Sequence, residues 1–126
     1  MSVHNVLREL YSAPSPSGQG IGGTVTQATN KSTGVTLSRS CGQITMNNAA
    51  LGAGAQSVFV FTNTLIAATD VLLVIIQGGQ ATPGTYEVMV SGIAAGAATI
   101  VLTNVSAGSL SEAVVLNFAI IKAVSA

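Results

Sequence analysis

The side chains that could perform chemistry are few in this 126-residue chain. One histidine, one cysteine and four carboxylates are the candidates: His4, Cys41, Glu9, Asp70, Glu87 and Glu112. Nucleophilic hydrolysis needs a base beside the nucleophile and a third group that orients the base. His4 lies near the N-terminus, ahead of a Pro/Ser/Gly stretch, and the only cationic sequence neighbour of Cys41 is Arg39. We therefore expect neither residue to be catalytic and predict that the protein is not an enzyme.

The carboxylates are too dispersed along the chain to indicate a metal site. A calcium site draws several oxygen ligands from one loop, and a structural zinc site needs about four ligands. Asp70 and Glu112 each follow a loop and precede a strand-like run. We expect turn or capping roles for them, and we expect no metal and no cofactor.

Three short motifs match functional patterns only in their letters. The segment 18–23 reads GQGIGG and matches G-x-G-x-x-G, which binds dinucleotide phosphates when it joins a strand to a helix. Here a Pro/Ser segment precedes the glycines and a Thr-rich run follows them, so we expect a flexible linker. Asn30-Lys31-Ser32 and Asn104-Val105-Ser106 match the glycosylation sequon, and we interpret both as polar turn or strand-end residues.

The charge composition predicts self-association. Charged residues make up 6% of the chain and cancel to a net charge of zero, whereas soluble domains carry roughly 25%. So few charges do little to keep copies of a protein apart, which favours an oligomer or a larger assembly. Binding to nucleic acid or to an anionic membrane surface needs a cluster of basic residues. Because the four basic residues are scattered, we expect neither partner.

The sequence shows no segment typical of export or membrane insertion. The N-terminus lacks an apolar stretch after a basic start. The longest strongly apolar run, 71–76, is about a third of the ~20 residues that span a bilayer. We expect the protein to be made and folded in a cytoplasm.

From residue 24 onward, short β-type runs alternate with turn residues every 10 to 15 positions, which is typical of a β-sandwich or barrel. We predict an all-β fold over 24–126: a single β-sandwich, jelly-roll or immunoglobulin-like, of seven or eight strands. Val71–Ile76 is continuously apolar, as in a strand buried on both faces. It and Val114–Ile121 should be central strands, or strands sealed by a neighbouring subunit. Gly92 is predicted to separate strands, and the Ala-rich segments 49–55 and 94–98 could each hold a helical turn. The strand-like runs lie at 24–29, 35–37, 44–46, 58–62, 71–76, 85–91, 98–103 and 113–121.

Residues 1–23 differ from the rest and are predicted to form an N-terminal arm, extended or with a short helix. Val3, Leu7, Leu10 and Tyr11 fall on one face of a helix. A helix this short is marginal in water and needs a surface to pack against. Residues 12–23 have the composition of a flexible linker. We therefore predict that these four apolar residues contact a partner.

The strings NKSTGVTLSRSCGQITMNNAAL (30–51), NTLIAATDVLLV (63–74) and NVSAGSLSEAVVLNFAIIKA (104–123) resemble small virion β-proteins of tailed bacteriophages, in particular head-decoration (capsid cement) proteins. The resemblance implies a compact β-sandwich, most simply a homotrimer, at local three-fold positions of the capsid surface. Its partners would be copies of itself and the major capsid protein, and it would stabilise the assembled shell. Similar modules occur on tail fibres, so a tail-fibre or receptor-binding module remains the alternative.

Overall fold

The computed structural model describes residues 22–123, and these form eight β-strands and no helix. This confirms the predicted all-β fold. The arm residues Val3, Leu7, Leu10 and Tyr11 lie outside the described residues. The strands are β1 Thr24–Thr26, β2 Val35–Thr36, β3 Cys41–Thr45, β4 Gln56–Thr62, β5 Val71–Gly78, β6 Tyr86–Ala94, β7 Ala97–Asn104 and β8 Val115–Ile121.

The strands build two four-stranded sheets that face each other as a β-sandwich. Sheet I has the order β1-β3-β8-β5, and sheet II has the order β2-β4-β7-β6. The pairs β1–β3 and β2–β4 are parallel, and all other pairs are antiparallel. Strands β5 and β6 therefore lie at the edges of their sheets.

The inward rows of the two sheets form the core. Alternate residues of β4 and β8 are buried, as expected for strands with one face on a core. The rings of Phe61 in β4 and Phe118 in β8 meet edge to face, with centroids 4.7 Å apart, so this contact joins the sheets. Ile100 and Leu116 are fully buried beside them. Burial of each such side chain contributes about 1.5–3 kcal/mol.

Of the two alternatives predicted for Val71–Ile76, a central strand buried on both faces is wrong, whereas a strand sealed by a neighbouring subunit stays a prediction. Strand β5 is the edge strand of sheet I and pairs only with β8. Its side chains alternate: Leu72 is buried, while Val71, Leu73 and Ile75 are about half exposed. The prediction for 114–121 is correct in its position, because β8 lies between β3 and β5.

Two predicted turn positions also differ. Gly92 does not separate two strands but lies within β6, where the register with β7 shifts between Val90 and Gly92 as at a β-bulge. The segments 49–55 and 94–98 contain no helical turn. In the second of them, Gly96 has a φ of 80°, which glycine adopts at little cost, and it closes the tight β6–β7 hairpin.

Candidate functional site

The outward side of sheet I carries an exposed apolar row along its edge strand. Val71, Leu73 and Ile75 are 47%, 50% and 51% exposed. The register places Val71 beside Ile121 and Leu73 beside Ala119 on β8, and directly paired residues share a face of the sheet. We call these five residues the sheet I face.

The rest of this outward side is mainly polar and carries no charge on its strands. Gln43 on β3 donates a hydrogen bond from Nε2 to Oδ1 of Asn117 on β8, at 3.0 Å. Thr45 and the threonines of β1 continue the same side of the sheet. The outward strand positions of sheet I therefore contain no acidic or basic side chain.

Sheet II has a second exposed apolar area on the opposite side of the sandwich. Val58 and Met89 flank Val101 in one row across three strands. This flanking leaves Val101 only 7% exposed, although it points outward. Val58, Val60 and Met89 are 47–54% exposed. We call these four residues the sheet II face, and Glu87 on β6 lies at its border.

Exposed apolar areas with polar borders mark protein–protein interaction sites. Completing the burial of one half-exposed Leu, Ile or Val contributes about half of the ~1.5–3 kcal/mol for the whole side chain. The four large side chains of the sheet I face together offer about 4 kcal/mol on this scale. The two faces are therefore candidate surfaces for contact with another protein.

The carboxylate of Asp70 holds a turn, as predicted. Its Oδ2 accepts hydrogen bonds from the Ala67 backbone N–H at 2.8 Å and from the Lys122 ammonium at 2.7 Å. The backbone hydrogen bond and then the Lys122 contact hold the pKa of Asp70 below its ordinary value. Asp70 and Lys122 thus tie the loop ahead of β5 to the end of β8.

Glu112 also holds a loop by a backbone contact. Its Oε2 accepts a hydrogen bond from the Ala81 N–H at 2.5 Å. The hydroxyl of Tyr86 is buried nearby, and burial, followed by the neighbouring Glu112 carboxylate, raises the pKa of Tyr86 to about 12. Among residues 22–123, three buried side-chain atoms have no hydrogen-bond partner: Gln80 Oε1, the Tyr86 hydroxyl and Glu112 Oε1. A phenol with so high a pKa stays protonated at neutral pH.

The other chemical candidates are not brought together. Cys41 begins β3, which lies between β1 and β8 in sheet I, and Glu87 points outward from β6. Among residues 22–123, no three His, Cys, Asp or Glu side chains are close enough to share a metal ion. Within the same range no helix is long and apolar enough to cross a membrane. His4 and Glu9 lie outside the described residues.

The buried ammonium of Lys31 is the feature that sequence reasoning missed. Lys31 is only 4% exposed, and its Nζ donates hydrogen bonds to the backbone carbonyls of Asn47 and, at 2.6 Å, Glu112. Gln27 reinforces this contact: it accepts a hydrogen bond from Asn47 N and donates to Lys31 O. Burial lowers the pKa of Lys31, and Glu112 partly opposes the shift. We call Lys31 and its two carbonyl partners the lysine clamp.

The two sequons are turn residues, as predicted. Asn30 Oδ1 accepts a hydrogen bond from Ser32 N at 2.8 Å. Asn104 Oδ1 accepts one from Ser106 N at 2.9 Å. The Asn104 Nδ2 also donates to the carbonyl of Leu51. Asn30 therefore holds the loop between β1 and β2, and Asn104 holds the loop between β7 and β8.

Comparison of the chain with protein-family models, with curated proteins and with solved structures gave no match.

Proposed function

We propose that this protein is a structural subunit of a tailed-bacteriophage particle that binds the outside of the assembled capsid and stabilises it. The observation that carries the proposal is the pair of outer faces. Both sides of the sandwich expose rows of large apolar side chains, and the sheet I face has no charged neighbour on its strands. The sequence resemblance described above supports the capsid as the location.

A surface of this kind suits a subunit whose faces are covered in an assembly. Exposed apolar rows and a net charge of zero promote association of an isolated protein. Binding that occurs only on the assembled shell stabilises that shell by mass action. Three-fold symmetric attachment multiplies weak contacts through effective concentration. Copies of this chain, as a trimer, and the major capsid protein are the proposed partners.

The proposal gives the N-terminal arm the role of a partner contact. Val3, Leu7, Leu10 and Tyr11 form one face of the predicted helix. They would be buried against a neighbouring subunit when the particle assembles. The proposal includes neither an enzymatic step nor a cofactor, and it includes synthesis in the host cytoplasm before attachment to the virion.

The alternative, a tail-fibre or receptor-binding module, has less support. Recognition surfaces draw on exposed aromatic side chains. All aromatic residues of the described body are buried in the core: Phe59, Phe61, Tyr86 and Phe118. The exposed faces offer aliphatic side chains and Met89, which suit a permanent contact between subunits.

The function is tested with phage particles made without this protein. Purified full-length protein is added back, and the temperature at which the particles release DNA is measured. The proposal predicts stoichiometric binding and a higher release temperature. Precursor shells, which have a different surface lattice, serve as the control and should bind less. Particles that neither bind the protein nor gain thermal stability would refute the proposal.

A further inference from the structure

We infer that the sheet I face is the docking site for residues 1–21 of a neighbouring copy of this chain. The inference deepens the proposed function, because it rests on the expectation that copies assemble and names the surface by which they do so. The segment presents the apolar side chains Val3, Leu7, Leu10 and Tyr11. The face presents an apolar row of matching size, and four observations connect the two.

The first observation is the place where the segment joins the body. Residues 1–21 precede Gly22, and a Cβ added at Gly22 would lie 3.4 Å from the Cys41 Sγ. Cys41 pairs with Ala119, and Ala119 pairs with Leu73. Directly paired residues share one side of a sheet. The chain therefore enters the body in the cross-strand row that ends at Leu73 on the sheet I face.

The second observation is a match of lengths. From Val71 to Ile75 the apolar row covers four residue steps of an extended strand, which is about 13 Å. From Val3 to Tyr11 the predicted helix covers eight steps at 1.5 Å each, or about 12 Å. One such helix can therefore cover the whole row.

The third observation is the reach of the linker. Residues 12–21 number ten, and an extended chain spans up to about 33 Å over that length. A folded body of about 100 residues has a radius of gyration of about 13 Å. A compact body of this kind is about 34 Å across, so an arm that starts beside Cys41 can extend beyond the surface of its own body to a copy packed against it.

The fourth observation is electrostatic. The predicted helix carries Arg8 and Glu9 outside its apolar face, and the outward strand positions of sheet I carry no charge. Docking the apolar residues therefore removes no charged side chain of the outward strand positions from water. Exchange of arms between copies buries the apolar row and links the bodies at the same time.

The test uses full-length variants and sedimentation velocity from about 1 to 100 µM. Leu73→Glu damages the face, and Leu7→Glu damages the arm. Two matched controls introduce the same charge elsewhere. Val105→Glu lies outside both faces at a similarly exposed position, since Val105 is 45% and Leu73 50% exposed. Asn5→Glu lies on the opposite side of the predicted helix. Circular dichroism confirms that each variant is folded, and Ile75→Glu replaces Leu73→Glu if the latter is not.

We expect the wild type and both controls to be oligomeric over this concentration range. The Leu73→Glu and Leu7→Glu variants should stay monomeric up to its upper end, about 100 µM. Mixing the two monomeric variants should restore a complex, because the intact arm of the first meets the intact face of the second. A wild type that stays monomeric, a Leu7→Glu variant that stays oligomeric, a control that dissociates, or a mixture that forms no complex would each overturn the inference. These assays contain no capsid. Oligomers that assemble through the arm but are absent from virions would therefore refute the proposed function alone.

Discussion

Replacing Lys31 by methionine should destabilise the fold more than any other single loss of charge in the described body. Met has a similar length but cannot donate the hydrogen bonds that Lys31 gives to the carbonyls of Asn47 and Glu112. Hydrogen bonds to charged groups contribute about 1.5–3 kcal/mol each, so two of them give about 3–6 kcal/mol. Burial lowers the pKa of Lys31, and a buried ammonium keeps part of its desolvation cost even when it is hydrogen-bonded. The variant recovers part of that cost, and we expect a net loss of about 2–4 kcal/mol.

The measurement is the free energy of unfolding from urea titration, with thermal unfolding in parallel. For a body of about 100 residues, 1 kcal/mol corresponds to roughly 4–8 °C, so the variant should melt at least about 8 °C lower. Lys122→Met is the matched control, because it removes the same charge from a lysine whose side chain is 63% exposed. An exposed ion pair contributes about 0–1 kcal/mol. If Lys31→Met and Lys122→Met lowered the stability equally, the lysine clamp would have no structural role.

The clamp also predicts the direction of a pH dependence. Because the pKa of Lys31 is lower in the folded than in the unfolded protein, the unfolded state binds more protons as the pH rises through the folded pKa towards 10.5. Stability therefore increases in this alkaline window. The wild type should gain stability there relative to Lys31→Met, which has no ammonium to titrate. An alkaline profile identical in both proteins would contradict the assigned shift.

Two further predictions concern the packing and the acid stability of the body. A Cβ at Gly42 would lie 2.4 Å from the carbonyl oxygen of Gly23, so Gly42→Ala should lower the free energy of unfolding by about 1–3 kcal/mol. The measurement is the urea midpoint, which should fall. An unchanged midpoint would show that the two segments are not in contact. Asp70 has a lowered pKa, so its contribution is present above about pH 4 and is lost as the pH falls through the folded pKa. Asp70→Asn should therefore reduce stability at pH 7, and this loss should shrink as the pH falls below about 4. A loss that does not change with pH would rule out the charge of the Asp70 carboxylate as its source.

The local pattern was enough to predict the strands and the sandwich but not the position of a strand within a sheet. In β6, Tyr86, Val88 and Val90 alternate with Glu87 and Met89, and the first three face the core. The apolar run of β5 gives no such alternation, because the side chains on both faces of this strand are apolar. Its location at an edge depends on pairing with β8, which lies more than 30 residues away in the chain. Such non-local pairing leaves no trace in a short window of sequence.

Non-local contacts also explain why the sequence does not predict the lysine clamp or the position of the outer faces. Lys31 belongs to a polar turn motif that is usually solvated, and its carbonyl partners are 16 and 81 residues distant. The sheet I face combines residues of β5 with residues of β8, so it exists only once the register is set. Composition predicted a surface that associates, because it reports how few charges the chain has. The strand register then determined where on that surface the apolar rows lie.

A cryo-electron microscopy map of the phage particle at side-chain resolution tests the central claim most directly. The account predicts density for the eight-stranded sandwich on the outer capsid surface at local three-fold positions. In that density the sheet I face should be covered by the arm of an adjacent copy. Density for the sandwich at a fibre tip would support the alternative location. Absence of the sandwich from the particle would contradict the account.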